Sequence, residues 1–134
     1  MNTKQILAVI VVLICCFLHT GCVTGNGKSL NKSKINHIVV CWLKEHGNRQ
    51  QREKIIETSL GFSKIPGVIQ VKAGEPVLSN RAIVDDSFDV AVMVTFANTN
   101  DMNTYLTHPI HIKAKNDILL PLTQKLLVYD FMEQ

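Results

Sequence analysis

Aromatic residues are scarce: Phe, Trp and Tyr make up 6% of the 134 residues, with one Trp and two Tyr. That shortage excludes a stacking platform for single-stranded nucleic acid, which needs several exposed rings along one groove. Charge is thin as well. Fourteen Lys and Arg against eleven Asp and Glu leave a net +3, far from the basic footprint of a protein that reads phosphate backbones. No nucleic-acid partner is expected. Acidic residues are missing altogether before Glu45. The length excludes a multidomain enzyme and allows one domain with a targeting segment.

What the chain has in abundance is apolarity, at 46% of residues. Part of it sits in Ile6 to Leu18, an unbroken apolar run of thirteen residues preceded by Lys4. As a helix this run spans roughly 20 Å, short of the ~30 Å hydrocarbon core of a bilayer. A charged start, a short apolar middle and then small residues is the layout of a secretory signal. Residues 1–21 are read as that signal, with ordinary secretion and a nearby cut, an uncleaved anchor and a buried core helix as the alternatives. Leu18-His19-Thr20-Gly21-Cys22 resembles a bacterial lipobox, although His19 stands where an aliphatic residue is usual. The resemblance implies lipidation (palmitate among the acyl chains) at Cys22 and a membrane partner reached through that anchor. It places the protein in the bacterial cell envelope. Val23 is not the Asp that retains some lipoproteins in the inner membrane, which points to the outer membrane.

Residues 22–34 follow as a tether. Val23 to Lys34 is a polar stretch of twelve residues with two Gly, two Ser and three Lys. A flexible chain of that length reaches roughly 20 Å. With Cys15 and Cys16 in the signal and Cys22 lipidated, Cys41 is the one thiol left, so no internal disulfide is expected. Its place in an apolar strand reads as a buried, inert thiol.

The remaining domain, 35–134, reads in order. Asn36 to Leu43 is a β-rich strand. Arg49 to Lys64 has apolar residues at helical spacing, stopped by Pro66-Gly67. Val68 to Val77 is a second strand, and Phe88 to Phe96 a third. Asn98 to Leu106 is a short helix opened by cap residues. His108-Pro109 starts another helix over Ile110 to Leu120, and Lys125 to Met132 is the last strand. The order β-α-β-β-α-β defines an α+β, ferredoxin-like fold. Its strands are apolar on both faces: Val39, Cys41 and Leu43 oppose Ile38, Val40 and Trp42 in the first, and Leu127, Tyr129 and Phe131 oppose Leu126, Val128 and Met132 in the last. Two helical layers cover one sheet face. The other face calls for a second copy, hence a homodimer with two packed sheets.

Several segments carry a family resemblance. Ile35 to Lys44 resembles the opening strand of the stress-responsive A/B barrel (Dabb) family. Ile65-Pro66-Gly67-Val68 resembles its helix-to-strand turn, Gly74 the small residue of its second strand, and Phe88-Asp89-Val90-Ala91 the start of its third. Tyr105-Leu106-Thr107-His108-Pro109-Ile110-His111 matches its Tyr-x-x-His-Pro-x-His segment. The resemblance covers about residues 35–133 and implies subunits that pair into a dimeric α+β barrel. It leaves molecular activity undefined and allows a role in stress.

A plant polyketide cyclase of the family, which closes a ring by aldol condensation, supplies an acid–base pair whose matching positions are Tyr105 and His111. Its first-strand pocket histidine matches His37. Two further polar pocket positions of that enzyme are Val90 and Thr58 in this chain. His37, Tyr105 and His111 are therefore the candidate catalytic residues. A His with a near-neutral pKa and a Tyr hydroxyl can move a proton beside a carbonyl. The same residues also fit plainer roles, with His108 as a helix cap and Tyr105 as a core aromatic. His-x-x-His without a neighbouring carboxylate or thiol names no metal site, and no cofactor is implied. His46 reads as a solvated turn residue. Two functions follow: a lipid-anchored barrel binding a partner or a small apolar ligand, and a small cofactor-free enzyme acting on a carbonyl substrate.

Overall fold

The computed structural model describes residues 33–134. The expected signal, Cys22 and nearly all of the tether lie outside the described residues.

The first strand, β1 (Ile35–Leu43), leads into helix α1 (Arg49–Leu60), which tightens into a 3-10 turn at Gly61–Lys64. Strands β2 (Val68–Gly74) and β3 (Val90–Phe96) follow, then α2 (Thr99–Thr107) and α3 (Pro109–Ala114). Helix α3 continues through a wide π turn at Lys115–Leu119 and a last turn at Leu120–Leu122 before β4 (Thr123–Met132). All strand pairs are antiparallel and the sheet order is β2-β3-β1-β4. This is the ferredoxin-like β-α-β-β-α-β arrangement read from the sequence.

Local chemistry fixes the element ends. Asn48 caps α1 by accepting the Gln51 amide at 3.1 Å, and Asn98 caps α2 by accepting the Asp101 amide at 3.0 Å. His108 caps α3 by accepting the Ile110 amide at 3.2 Å, with Pro109 preset for the first turn. Gly67 is required twice over. Its φ is +86°, and a Cβ there would sit 2.9 Å from the Cβ of Asp101.

Several boundaries differ from the sequence reading. Strand β2 stops at Gly74 and does not reach Val77, because Pro76 has no amide for the ladder. Beyond it Val77 and Leu78 are 86% and 81% exposed. Strand β3 begins at Val90, not Phe88, because the Asp89 side chain turns to bind the β1–α1 loop. The first helix does not run unbroken to Lys64, since Gly61 begins the tighter turn. The last helical segment reaches Leu122, and β4 starts at Thr123, two residues before Lys125. A register shift between Trp42 and Leu43 accommodates that early start.

The helices cover one face of the sheet. Cys41, Leu43, Val90, Val94 and Phe96 rise from it to meet Ile55, Phe62, Ile65 and Tyr105, all buried. Each fully buried Leu, Ile or Phe contributes about 1.5–3 kcal/mol. Burial pushes the Cys41 thiol up to about 12, with the nearby Asp89 charge adding to it, so the thiol is inert. The opposite face is open. Ile38, Val40, Trp42 and Met93 line it beside Leu127, Tyr129 and Phe131, and the last two are 55% and 48% exposed. The two-faced strands of the sequence reading are present in the structure.

Candidate functional site

Alternation along β1 sends His37 to the helix-covered face, next to Val39. The α2–α3 corner delivers the other two candidates. Tyr105 lies in the last turns of α2, and His111 in the first turn of α3. Their rings meet. Tyr105 and His111 have centroids 4.5 Å apart, and Tyr105 and His37 5.9 Å apart, edge to face. Phe62 and Phe96 close around the same tyrosine at 5.5 and 5.2 Å. The structure thus brings His37, Tyr105 and His111 together, with Tyr105 between the histidines and the core.

A cleft of about 320 Å³ opens between the sheet and α3 at this point. Val39, Leu126 and Val128 form its sheet wall, and Leu106 and Leu119 its helical wall. His37, His111 and Lys115 supply its polar lining. Tyr105 does not line the cleft. It is 2% exposed, and burial raises its hydroxyl pKa well above the ordinary tyrosine value. Among the described residues its hydroxyl has no hydrogen-bond partner.

The two imidazoles are held alike. His37 Nδ1 lies 2.7 Å from Asp130 Oδ1, and His111 Nδ1 lies 3.0 Å from the Leu106 carbonyl. Both partners only accept, so Nδ1 carries the hydrogen in each ring and Nε2 is the uncommitted nitrogen. The His111 pKa is lowered below the ordinary histidine value. Burial is the main cause; the Leu106 bond opposes it, and His37 and Lys115 add to the lowering. A neutral imidazole with a free Nε2 lone pair is a base.

Asp130 and Lys115 escaped the sequence reading. Asp130 sits opposite His37 in the β1–β4 register, on the same face as Leu126 and Val128. A lone carboxylate at an alternating position of an apolar strand was its only signal. Lys115 lies four residues after His111, one helical turn on. His108 serves as a cap and does not line the cleft. Among the described residues no group of three or more His, Cys, Asp or Glu is arranged to hold a metal ion. His46 is not simply solvated: its side chain is 67% exposed, yet Nδ1 lies 3.1 Å from the buried Asp89 carboxylate.

The fold and the paired histidines define a small ferredoxin-like domain with a ligand-sized cleft. Residues 35–133 match the model of the Stress responsive A/B Barrel Domain, and the chain belongs to that family. It is similar to olivetolic acid cyclase of Cannabis sativa, with 24% identity over 98 residues that cover 72% of this chain and 94% of that protein. Its fold is similar to the hydroxynitrile lyase of Passiflora edulis, with TM-score 0.64, 22% identity, and 77% and 95% of the two chains covered. It is also similar to a dimeric ferredoxin-like protein of unknown function from Thermobifida fusca, with TM-score 0.61, 22% identity, and coverage of 75% and 92%.

Proposed function

We propose that this domain binds a small, largely apolar carbonyl compound in the His37–His111 cleft and moves a proton on it. One observation carries the reading. Two imidazoles from different elements, each with Nδ1 tied to an acceptor, line one apolar-walled cleft. His111 Nε2 takes a proton from the carbon beside the carbonyl. His37, when doubly protonated, gives its Nε2 proton to the carbonyl oxygen, while Asp130 balances the charge and fixes the ring. The product is an enol, and the reverse step returns a proton to carbon. Tyr105 is a positioning residue whose ring supports both imidazoles. The similarity to a cyclase and to a hydroxynitrile lyase supports an enzyme over a purely structural barrel.

Deuterium incorporation tests this. The full chain is incubated in heavy water with an uncharged para-alkyl acetophenone, and exchange of the methyl protons is followed by NMR. The wild type exchanges about a hundredfold faster than the His37→Gln/His111→Gln double variant. Equal rates would refute the reading.

The domain is further proposed to work as a homodimer, the open sheet face packing on a second copy. The dimeric structural relative and the exposed apolar side chains of β4 support this. The lipobox-like segment supports anchorage through lipid at Cys22 on the bacterial cell envelope, at the outer membrane. The family description supports a role in stress.

A further inference from the structure

The cleft is not electrically balanced. Asp130 is committed to His37, and the other two polar lining groups are His111 and Lys115. Lys115 forms no ion pair or hydrogen bond with another described residue. Lys113, two residues earlier on the same helix, pairs instead with Asp117. Lys115 is thus an ammonium without a counter-charge among the described residues, at the rim of an apolar-walled cleft whose other polar lining is the two imidazoles. It is close enough to bear on the charge of His111.

The helix geometry holds it there. His111, Lys115 and Leu119 all line the cleft at intervals of four residues. Four residues of α-helix overshoot a full turn by about 40°, so a regular helix would carry the third residue away from the cleft. The π turn at Lys115–Leu119 has more residues per turn and takes that drift back. Lys115 follows His111 by one ordinary helical turn, and the wide turn after it brings Leu119 back to the same cleft at the cost of an irregular helix. Wide turns of this kind recur at functional sites.

We propose that Lys115 is a specificity-determining residue that selects ligands with an anionic head, a carboxylate, on an apolar body. The body lies against Val39, Leu126 and Val128, and the head meets the Lys115 ammonium at the rim. This rests on the cleft reading above and narrows its substrate class to carbonyl compounds that carry an acid group. The cleft volume lies at the small end of ligand sites.

The test uses a matched pair, para-butylbenzoate and its neutral amide. Each is titrated by calorimetry into the full-length chain as wild type, Lys115→Met and Lys115→Arg. Lys115 is exposed, and circular dichroism checks that each variant is folded. The wild type binds the carboxylate about fivefold tighter than the amide at low salt, and the preference shrinks as salt rises. Lys115→Met loses the preference with the amide affinity unchanged, and Lys115→Arg keeps it. Equal affinities in the wild type, or a preference that survives Lys115→Met, would overturn the proposal while leaving the cleft reading standing. Binding of neither probe would overturn both. Loss of deuterium exchange with the carboxylate preference intact would overturn proton transfer and leave the Lys115 assignment in place.

Discussion

Removing the Asp89 carboxylate is expected to be the most damaging single change outside the apolar core. Asp89 is 1% exposed and accepts the Leu43 amide at 2.8 Å and the Gly47 amide at 2.7 Å. It ties the end of β1 to the turn before α1, where Gly47 has a φ of +78°. In Asp89→Ala the Leu43 amide is left buried and unpaired, which costs about 1–3 kcal/mol, and a charge-assisted bond to Gly47 goes as well. The sum is about 3 kcal/mol, or a Tm lower by at least about 12 °C in a domain of this size. Asp89→Asn keeps one acceptor oxygen and should lose about half as much. His46→Ala is the control: its ring is mostly exposed, and its loss should cost under about 0.5 kcal/mol. The sole tryptophan, Trp42, adjoins Leu43 and reports urea unfolding by fluorescence. The sign with pH is fixed too. Burial raises the Asp89 pKa, but the Gly47 and Leu43 amides and His46 outweigh it, and the net direction is downward. A depressed folded value means stability present above the unfolded carboxylate pKa and lost as pH falls through the folded one. The gap between wild type and Asp89→Asn should therefore narrow below about pH 4. A cost under about 1 kcal/mol for Asp89→Ala, or a gap that does not change with pH, would refute the clamp.

Tyr105→Phe keeps the ring that supports both imidazoles and should hold deuterium exchange within about twofold, whereas a tenfold loss in the exchange assay would assign the hydroxyl to the chemistry. Tyr105→Ala empties a buried site and should cost about 3–5 kcal/mol in chemical denaturation. Leu127→Glu together with Phe131→Lys puts charge on the open sheet face, and analytical ultracentrifugation should show the variant as a monomer where the wild type is a dimer; a wild type that sediments at the mass of one chain at micromolar concentration would sink the dimer. Cys22→Ser should abolish the added mass of acyl chains on the chain purified from bacterial membranes, and an identical mass in the wild type would remove the lipid anchor.

The fold was legible because its elements carry redundant signals. β3 alternates four apolar residues on the core side, Val90, Val92, Val94 and Phe96, and no other reading buries them. The Asn48, Asn98 and His108 caps stand in the sequence at the positions where helices begin. The boundaries that moved are those set by single long-range bonds. The start of β3 depends on where the Asp89 side chain goes, and that depends on Gly47, forty-two residues away. The start of β4 depends on an irregularity in β1. Neither is visible in a local window of sequence.

The site divides along the same line. Tyr105 and His111 are neighbours in sequence, and the α2–α3 corner converts that nearness into touching rings. His37 and Asp130 are ninety-three residues apart, and their bond exists because β1 and β4 are adjacent in the sheet. Without that register Asp130 is one acid in an apolar strand, and nothing marks it as the partner that sets the His37 tautomer. Tyr105 shows the converse. Its motif position suggests a group in the cavity, while packing places the ring behind it, against Phe62 and Phe96. Spacing along a chain can bring two side chains to one place, but the surrounding core decides which of them the ligand meets. That is why the cleft is lined by one residue of the Tyr105–His111 pair, and why its charge comes from Lys115, a residue that no motif contains.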